Sequence, residues 1–354
     1  MTYFYAVKEY DYMVVGQGLA GSSLALHLAW AGRSVLVVDQ PARNQSSSVA
    51  AGLFNPVTGK LLSKTWRADE LFPYTFEFYQ RAERTIGATF FHPQPIYRPF
   101  LSIEEQNQWM SAGPEWQPYL ERVSSTSTFD GQVYDPYGGM ILKSCGYVDV
   151  NRFVRGTREW FGARESFVED FVDDVQPMDE GVQWKNIRAK RVIFCTGCAL
   201  PPVLSFLPVR PLKGETLTVK FAERPNLIYN RAVYAVPADP LYKIGATYQP
   251  TKWVPGITAE GRHELEEKLK SFIKIPFDVI DQQWGLRPAS PDRRPLLGAH
   301  PRHSRLLIFN GLGTKGVSLA PYFGRQMALF LEGSGQIEDL VNINRFKALY
   351  SKFE

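Results

Sequence analysis

Short apolar runs alternate with one helical repeat at the start of the chain. Tyr12 to Val15 is an unbroken apolar run, which is typical of a buried parallel strand. Ser22 to Ala31 carries leucines one helical turn apart, and Gly32 follows, a residue type that commonly ends helices. Ser34 to Val38 repeats the buried-strand pattern. The start of the chain therefore predicts a strand, a helix and a second strand.

The same kinds of pattern return later. Arg191 to Phe194 and Leu306 to Phe309 are further apolar strands, and the second leads through a glycine-rich turn into an apolar helix. A segment from Thr258 to Lys274 predicts a helix whose charges form a solvated face. Aromatic and proline-rich segments lie between these patterns, with strands predicted at 232–236 and 242–247.

These elements predict an α/β fold, α+β overall, with two lobes interleaved along the chain. A Rossmann-type nucleotide-binding domain is expected from residues 1–85, 143–215 and 285–354. An antiparallel-sheet substrate domain is expected from residues 86–142 and 216–284. Size agrees with this division, because a chain of 354 residues is more often two lobes than one.

Three glycines join the first strand to the first helix, at Gly16, Gly18 and Gly21. Their spacing permits a tight turn, a close approach of the backbone to a pyrophosphate, and packing of the helix on the sheet. The helix N-terminus then presents unpaired N–H groups to the phosphates. Asp39 follows about 20 residues later, where a carboxylate accepts hydrogen bonds from a ribose. This arrangement predicts a dinucleotide-binding site.

Charge and hydropathy set limits on partners. The chain has 40 basic and 36 acidic residues without a long block of one sign, which neither requires nor excludes a nucleic-acid partner. No apolar stretch is long enough to cross a bilayer, and the N-terminus lacks the features of an export signal. We therefore expect a cytoplasmic protein without a membrane partner. The sequence does not indicate an oligomeric state.

The cysteines and histidines do not form a convincing reactive centre. Cys195 and Cys198 have the spacing of a thiol redox pair, but they follow a strand and precede two prolines, which disfavours the helix that lowers such a thiol pKa. We interpret them as structural. His300 and His303 lie in a loop without clustered acids or thiols, so no metal site is expected.

A series of short motifs occurs in a fixed order along the chain. They are Gly16 to Gly21, Ser48 to Leu53, Val192 to Gly197, Pro211 to Thr216, Gly285 to Pro288, Asp292 with Pro295, Gly298, and a late glycine turn followed by Val317 to Pro321. Through these motifs the chain resembles the D-amino-acid oxidase superfamily of FAD enzymes, in particular its glycine oxidase and sarcosine oxidase branch. The resemblance implies an FAD-dependent oxidase or dehydrogenase that oxidises the C–N bond of a primary or secondary amine.

The resemblance also implies a set of FAD contacts, carried over position by position. Those to the pyrophosphate, ribose and phosphate oxygens are Gly16, Gly18, Leu19, Ala20, Gly21, Asp39, and Ser47 or Ser48. Those beneath the isoalloxazine ring are Ala50, Ala51, Gly52 and Leu53, while Val172 contacts adenine and Thr196 and Gly197 close the nucleotide pocket. No cysteine follows Cys198, so FAD is expected to bind non-covalently.

The late glycine turn is the second candidate contact with the flavin, through Gly311, Gly313, Thr314, Lys315 and Gly316. Two-electron reduction leaves negative charge near N1 and the C2 carbonyl of the flavin. A helix N-terminus with a lysine beside it would stabilise that anion. The alternative is a surface turn with an exposed lysine.

Candidate substrate contacts are Tyr234 and Tyr248, for which a core role is the alternative. Glycine oxidase relatives place an arginine in the late turn to bind the substrate carboxylate. The matching residue here is Thr314, which cannot form that bidentate ionic contact. Lys315 and Arg287 are the candidates to replace it, although Arg287 is also a candidate contact of the fold or the flavin.

Three alternatives to a small-amine oxidoreductase remain open. The Gly-Thr-Lys-Gly turn and the segment 135–140 are similar to parts of the FAD domain of a bifunctional enzyme that modifies the tRNA wobble uridine. A tRNA-linked glycyl-type substrate is therefore one alternative. The others are a nicotinamide enzyme with the same glycine motif and a non-catalytic FAD-binding protein.

Overall fold

The computed structural model describes residues 7–40, 46–58, 63–172, 174–251 and 253–350. Helices in this part of the chain are α1 (Leu19–Trp30), α2 (Ser46–Val49), α3 (Ala68–Ile86), α4 (Ile103–Met110), α5 (Val150–Gly162), α6 (Ala259–Lys270), α7 (Gly316–Leu331) and α8 (Lys347–Tyr350). None of these helices is long and apolar enough to cross a membrane.

Strands are numerous and mostly short. They are β1 (Lys8–Val15), β2 (Val35–Asp39), β3 (Leu53–Phe54), β4 (Val57–Thr58), β5 (Ser63–Lys64), β6 (Phe91–Pro93), β7 (Ile96–Pro99), β8 (Leu120–Ser124), β9 (Gly139–Leu142), β10 (Gly146–Val148), β11 (Phe167–Glu169), β12 (Gln176–Met178), β13 (Gly181–Trp184), β14 (Ile187–Phe194), β15 (Arg210–Phe221), β16 (Ile228–Asn230), β17 (Tyr234–Ala238), β18 (Leu241–Gly245), β19 (Phe277–Ala289), β20 (Leu296–Ala299) and β21 (Leu306–Asn310).

The first large sheet has a parallel, Rossmann-type centre. Strands β11, β2, β1, β14 and β21 lie side by side and parallel in that order. Val14 and Ile193 contribute to the core on one face, whereas Met13 and Val192 contribute to the core on the other. Both faces are covered, which is why these strands are continuously apolar in the sequence. The predicted Rossmann-type fold is confirmed.

The second large sheet is mostly antiparallel. Its order is β19-β15-β18-β17-β16-β7-β9-β8, and only the β16–β7 pair is parallel. The long strands β15 and β19 pair along their whole length and place Gly214 opposite Gly285. Both strands cross the predicted domain boundaries at 215/216 and 284/285. The sheets interleave as expected, while the division into domains stays a prediction.

The predicted helix at 258–274 is shorter in the structure. Helix α6 covers Ala259–Lys270, with Thr258 as its N-terminal cap. Beyond it, Ile273 pairs with Val133 and the Lys274 N–H donates to the carbonyl of Gln132. The sequence pattern predicted a longer helix because a lysine such as Lys274 is compatible with a helix and with an extended segment. The contact with a distant segment ends the helix earlier.

Candidate active site

One cavity of about 800 Å³ lies at the carboxyl ends of the parallel strands. The last residues of four strands line it, namely Val15, Asp39, Phe194 and Asn310. In open α/β sheets this edge is the usual place for a ligand. The N-terminal turn at 15–20 and the C-terminal turn at 312–317 meet in the same wall. The cavity therefore brings the two ends of the chain together, as the sequence predicted.

The first glycine turn requires its glycines for a structural reason. Gly16 has a φ of 94°, and a Cβ there would stand 2.6 Å from the carbonyl oxygen of Cys195. A Cβ at Gly21 would stand 1.8 Å from the carbonyl oxygen of Gly16. Gly21 does not line the cavity itself, but its lack of a side chain lets α1 pack close to the turn. Gly18 is the N-cap of α1, and no side chain caps it.

Asp39 is buried at one end of the cavity. One carboxylate oxygen accepts the backbone N–H of Gln17 at 2.9 Å, and the other pairs with Nη2 of Arg158 at 3.2 Å. Burial raises the pKa of Asp39, while the Gln17 N–H and the Arg158 charge oppose that shift. The carboxylate is thus held in place beside the glycine turn. Arg158 was missed by sequence reasoning.

Small residues form the cavity wall predicted to lie beneath a flavin ring. Ala50, Ala51, Gly52 and Leu53 all line it. Gly52 has a φ of 74°, and a Cβ there would stand 1.8 Å from the carbonyl oxygen of Val148. This part of the wall is held by a contact the sequence did not reveal. Lys243 of β18 donates from Nζ to the carbonyl oxygen of Val49 at 2.9 Å, and burial lowers the Lys243 pKa.

Two buried hydroxyls of the cavity wall have no hydrogen-bond partner among the described residues. They are Oγ1 of Thr196 and Oγ1 of Thr216. A buried polar group without a partner is costly, so such groups commonly mark a place where a ligand or water binds. Thr196 was predicted to close the nucleotide pocket, whereas Thr216 was not singled out.

Arg287 brings a positive charge into the other end of the cavity. Its guanidinium lies over Gly214, where a Cβ would stand 2.2 Å from Nη2. Its hydrogen bond, from Nη1 to the carbonyl oxygen of Thr247, is long at 3.5 Å. Burial lowers the Arg287 pKa, and Tyr234 and Tyr248 oppose that shift. Both tyrosines line the same part of the cavity; Tyr248 is 53% exposed.

The late turn borders the cavity through its backbone, but Lys315 points elsewhere. Gly313, Thr314 and Gly316 line the wall, and α7 starts at Gly316 without a side-chain cap. The Nζ of Lys315 lies 3.4 Å from the hydroxyls of both Thr58 and Thr65. Burial and the charge of Arg293 lower the Lys315 pKa. The lysine is therefore not among the residues that face the cavity.

Most of the predicted site residues do line this cavity. They are Gly16, Gly18, Leu19, Ala20, Asp39, Ser47, Ala50, Ala51, Gly52, Leu53, Val172, Thr196, Gly197, Tyr234, Tyr248, Arg287, Gly313, Thr314 and Gly316. Those outside its wall are Gly21, Ser48, Gly311 and Lys315. Ser47 is the serine of its pair that faces the cavity, where its Oγ accepts the Leu19 N–H at 3.2 Å.

Comparison with known protein families identifies the family of the chain. Residues 11–329 match the model of the DAO family, described as FAD dependent oxidoreductase. The chain belongs to the DAO family of FAD-dependent oxidoreductases. This FAD-dependent oxidoreductase accordingly uses FAD as its cofactor, as the resemblance implied.

Curated relatives of this oxidoreductase fall into two length classes. The bifunctional protein ThiO/ThiG of Nostoc sp. is 25% identical over 342 residues, which is 88% of this chain and 51% of the relative. The chain spans about half the length of the first such relatives. The glycine oxidase of Bacillus licheniformis is 26% identical over 364 residues, which is 92% of this chain and 94% of the relative.

A solved structure shares the fold of the whole oxidoreductase. Glycine oxidase from Bacillus cereus superposes with a TM-score of 0.76 at 22% sequence identity. The match covers 92% of this chain and 96% of that chain. It confirms the combination of a Rossmann-type sheet with an interleaved antiparallel sheet.

The cavity residues fit FAD on physical grounds. A glycine turn at the start of α1 suits a pyrophosphate, and the buried Asp39 carboxylate beside it suits a ribose diol. The unpartnered hydroxyl of Thr196 offers a polar contact in the same wall. The small residues at 50–52 leave room for a flat ring close to the backbone.

Proposed function

We propose that this chain oxidises the C–N bond of an amino acid or an N-substituted glycine. The residues at 16–20, Asp39, Ser47 and Val172 would hold the nucleotide part of FAD, and those at 50–53 and 313–316 its ring. FAD, when bound, supplies the acceptor for a hydride from the substrate α-carbon, leaving an imine for water to hydrolyse. The chain's task is then to bind and orient the amine.

The observation that carries the proposal is a half-buried guanidinium that lines the cavity and has no acidic partner among the described residues. Arg287 forms no ion pair within the described part of the chain, and its one protein hydrogen bond is long. A cation that is partly withdrawn from water is costly unless an anion pairs with it. The fork of an arginine binds a carboxylate through two parallel hydrogen bonds. A substrate carboxylate therefore completes the site and gives Arg287 the role that Thr314 cannot perform.

The two tyrosines extend this site on either side. The Tyr234 side chain reaches across β18, since a Cβ at Gly245 would stand 2.4 Å from its hydroxyl oxygen. Its burial raises the Tyr234 pKa, which keeps the phenol neutral and able to donate a hydrogen bond. Tyr248 is the more exposed wall residue and lies toward solvent. We propose that Tyr234 contacts bound substrate and that Tyr248 covers the entrance.

Anaerobic rapid mixing of the FAD-loaded protein with glycine, sarcosine, proline and N-substituted glycines tests this function. An amine substrate is expected to bleach the flavin in a single turnover. Replacing Arg287 by Met should lower kcat/KM for amines with a carboxylate about 100-fold or more. The same replacement should change the reaction of a matched amine without a carboxylate much less. Equal losses for both substrates would contradict the carboxylate role.

The alternatives give different outcomes in the same apparatus. A non-catalytic FAD-binding protein would show flavin that is reduced by light but not by any amine. A nicotinamide enzyme is excluded by the family assignment. A tRNA-linked glycyl substrate would reduce the flavin only when the amine is carried on RNA, so tRNA lacking a modified wobble uridine is the control.

A further inference from the structure

Two charged side chains are completely buried beside the glycine that contacts Arg287. They are Lys213 and Glu215, the neighbours of Gly214 in β15, and neither side chain is exposed to solvent. The Lys213 Nζ lies 2.9 Å from Oε1 of Glu215. Successive side chains of a strand point to opposite faces of a sheet. Gly214 lines the cavity, so the ion pair lies on the other face of the same strand.

The Glu215 carboxylate is bonded to the start of helix α6. Its Oε1 accepts the hydroxyl of Thr258 at 2.8 Å, and its Oε2 accepts the Thr258 N–H at 2.9 Å. The side-chain amide of Gln282, in β19, donates to Oε2 at 2.7 Å. The helix packs directly on this group, because a Cβ at Gly261 would stand 2.8 Å from the carboxylate carbon. The carboxylate thus joins β15, β19 and α6.

The main chain of the same residue is bonded to the end of β18. The Glu215 N–H donates to the hydroxyl of Thr247 at 2.8 Å, and the Thr247 N–H donates to the Glu215 carbonyl oxygen at 3.1 Å. Lys213 and Gln249 exchange two further backbone hydrogen bonds, at 3.1 and 3.2 Å. Glu215 therefore bonds both to Thr247, just after β18, and to Thr258, just before α6.

Residues 247–249 contribute groups to the Arg287 end of the cavity. The carbonyl oxygen of Thr247 accepts the long hydrogen bond from Arg287. Tyr248 lines the cavity and lies between two residues, Thr247 and Gln249, that are both bonded to β15. The guanidinium itself rests on Gly214, between the two members of the ion pair. The ion pair is therefore next to each group that is proposed to hold the substrate carboxylate or to cover the entrance.

We infer that Lys213 and Glu215 are positioning residues for the substrate. The inference rests on the proposed function, in which Arg287 binds the substrate carboxylate and Tyr248 covers the entrance. The pair lies outside the cavity wall and acts through the backbone of residues 247–249 and through Thr258. A buried ion pair contributes little net stability, because both charges lose their hydration. Its contribution here is a fixed placement of residues 247–249 beside Arg287.

Thr258 allows the sharpest test, because it can be changed without leaving a buried charge unpaired. Thr258→Ala removes the hydroxyl that donates to Glu215, whereas Thr258→Ser keeps it. Anaerobic rapid mixing of the FAD-loaded protein with sarcosine measures substrate binding and flavin reduction separately. We expect Thr258→Ala to raise the dissociation constant about tenfold and to change the limiting rate of reduction by less than about threefold. Thr258→Ser should restore the constant to within about twofold.

Ser102→Ala separates this effect from the loss of a helix cap. The Thr258 hydroxyl accepts the Gly261 N–H at the start of α6, and the Ser102 hydroxyl accepts the Glu105 N–H at the start of α4. Ser102 lies outside the cavity wall, so its replacement should leave sarcosine binding unchanged. Parent-like binding in Thr258→Ala, or an equal loss in Ser102→Ala, would overturn the inference, because the contacts of the ion pair would then serve stability alone.

Removing both charges together tests the ion pair itself. Glu215→Gln alone would leave Lys213 as a buried cation without a partner, which is strongly destabilising. The double variant Lys213→Met with Glu215→Gln avoids this cost. It is expected to raise KM for sarcosine about tenfold or more and to keep its FAD content, since neither side chain lines the cavity. An unchanged KM would contradict the positioning role; if the double variant does not fold, Thr258→Ala decides.

Acetate binding keeps the inference distinguishable from the proposed function. If no amine reduces the flavin, the proposed function fails, but titration of the flavin absorption with acetate still measures a carboxylate site. In that case Thr258→Ala should weaken acetate binding about tenfold, and Arg287→Met should abolish it. Failure of acetate to bind the parent protein, or equal binding to the parent and to Thr258→Ala, would overturn the positioning role as well.

Discussion

The guanidinium of Arg287 rests on the backbone of Gly214, with no room for a side chain between them. A Cβ at Gly214 would stand 2.2 Å from Nη2 and 2.3 Å from Nη1. Arg287 belongs to β19 and Gly214 to β15. These two strands pair in one sheet and so hold the arginine against the glycine. The position of the proposed carboxylate-binding group therefore depends on the absence of a methyl group on the opposite strand.

Gly214→Ala is expected to displace Arg287 and weaken binding of carboxylate-bearing amines by about tenfold to 100-fold. FAD content should stay unchanged, because the contact that is lost involves the arginine and not the glycine turn. Rapid-mixing kinetics with sarcosine measure the effect. Gly131→Ala is the matched control, since a Cβ at that exposed glycine meets no atom within 4 Å. Similar kinetics for both variants would contradict the proposal that Gly214 positions Arg287.

Gly18→Val is expected to prevent FAD binding while the protein still folds. A Cβ at Gly18 already stands 2.9 Å from the Oγ of Ser47, and two further methyl groups would occupy the space of the pyrophosphate. The flavin-to-protein ratio after purification measures the loss, and circular dichroism reports the fold. Gly162→Val, at a position with open space around it, is the control. Full flavin content in the Gly18 variant would show that the phosphates lie elsewhere.

His27 is expected to make the fold sensitive to acid. Its Nδ1 lies 2.6 Å from the carbonyl oxygen of Ser23, which can only accept, so the neutral ring carries its proton there; Nε2 bonds to the hydroxyl of Tyr74. Burial lowers the His27 pKa from 6.5 to about 4. The unfolded chain therefore binds the proton more tightly, and stability falls as pH decreases from 6.5 toward 4.

The expected size of this loss is about 3 kcal/mol once the pH is below the folded pKa. Urea unfolding at several pH values measures it, with His27→Gln as the comparison because glutamine does not titrate in this range. The variant should lose less stability between neutral and mildly acidic pH than the parent protein. Parallel pH profiles would show that His27 is not the group responsible.

The FAD is expected to leave the polypeptide on denaturation. No cysteine occurs after Cys198, so the late turn has no thiol for a covalent bond to the flavin. Acid precipitation followed by absorption spectroscopy of the supernatant measures the released cofactor. Flavin that remains with the precipitated chain after repeated washing would disprove non-covalent binding.

Local patterns in the sequence were sufficient to predict which residues come together at the proposed nucleotide end of the cavity. The turn at Gly16 to Gly21 needs glycine for reasons within a few residues, and Asp39 follows at the next strand end. Because each strand end lies at the same sheet edge, these residues had to meet. The parallel centre of the sheet was predictable for the same reason, since apolar runs without alternation indicate burial on both faces.

Contacts between distant segments were not predictable from local patterns. Arg158 pairs with Asp39 across 119 residues, and Lys243 holds Val49 across 194. Neither residue lies in a recognisable motif. Lys315 is a further example. Its position in the late turn could be read from the sequence, but the direction of its side chain could not, because Nζ lies next to the hydroxyl of Thr58, 257 residues away. The contact between Arg287 and Gly214 was likewise not predictable, because it depends on the pairing of β15 with β19.

The most direct test of amine oxidation is anaerobic reduction of the bound flavin by an α-deuterated substrate and its unlabelled form. The account predicts rapid loss of the oxidised-flavin absorption with a carboxylate-bearing amine, and a slower rate for the deuterated compound because the α-hydrogen moves in that step. Flavin that is reduced by light but unaffected by every amine would contradict the account.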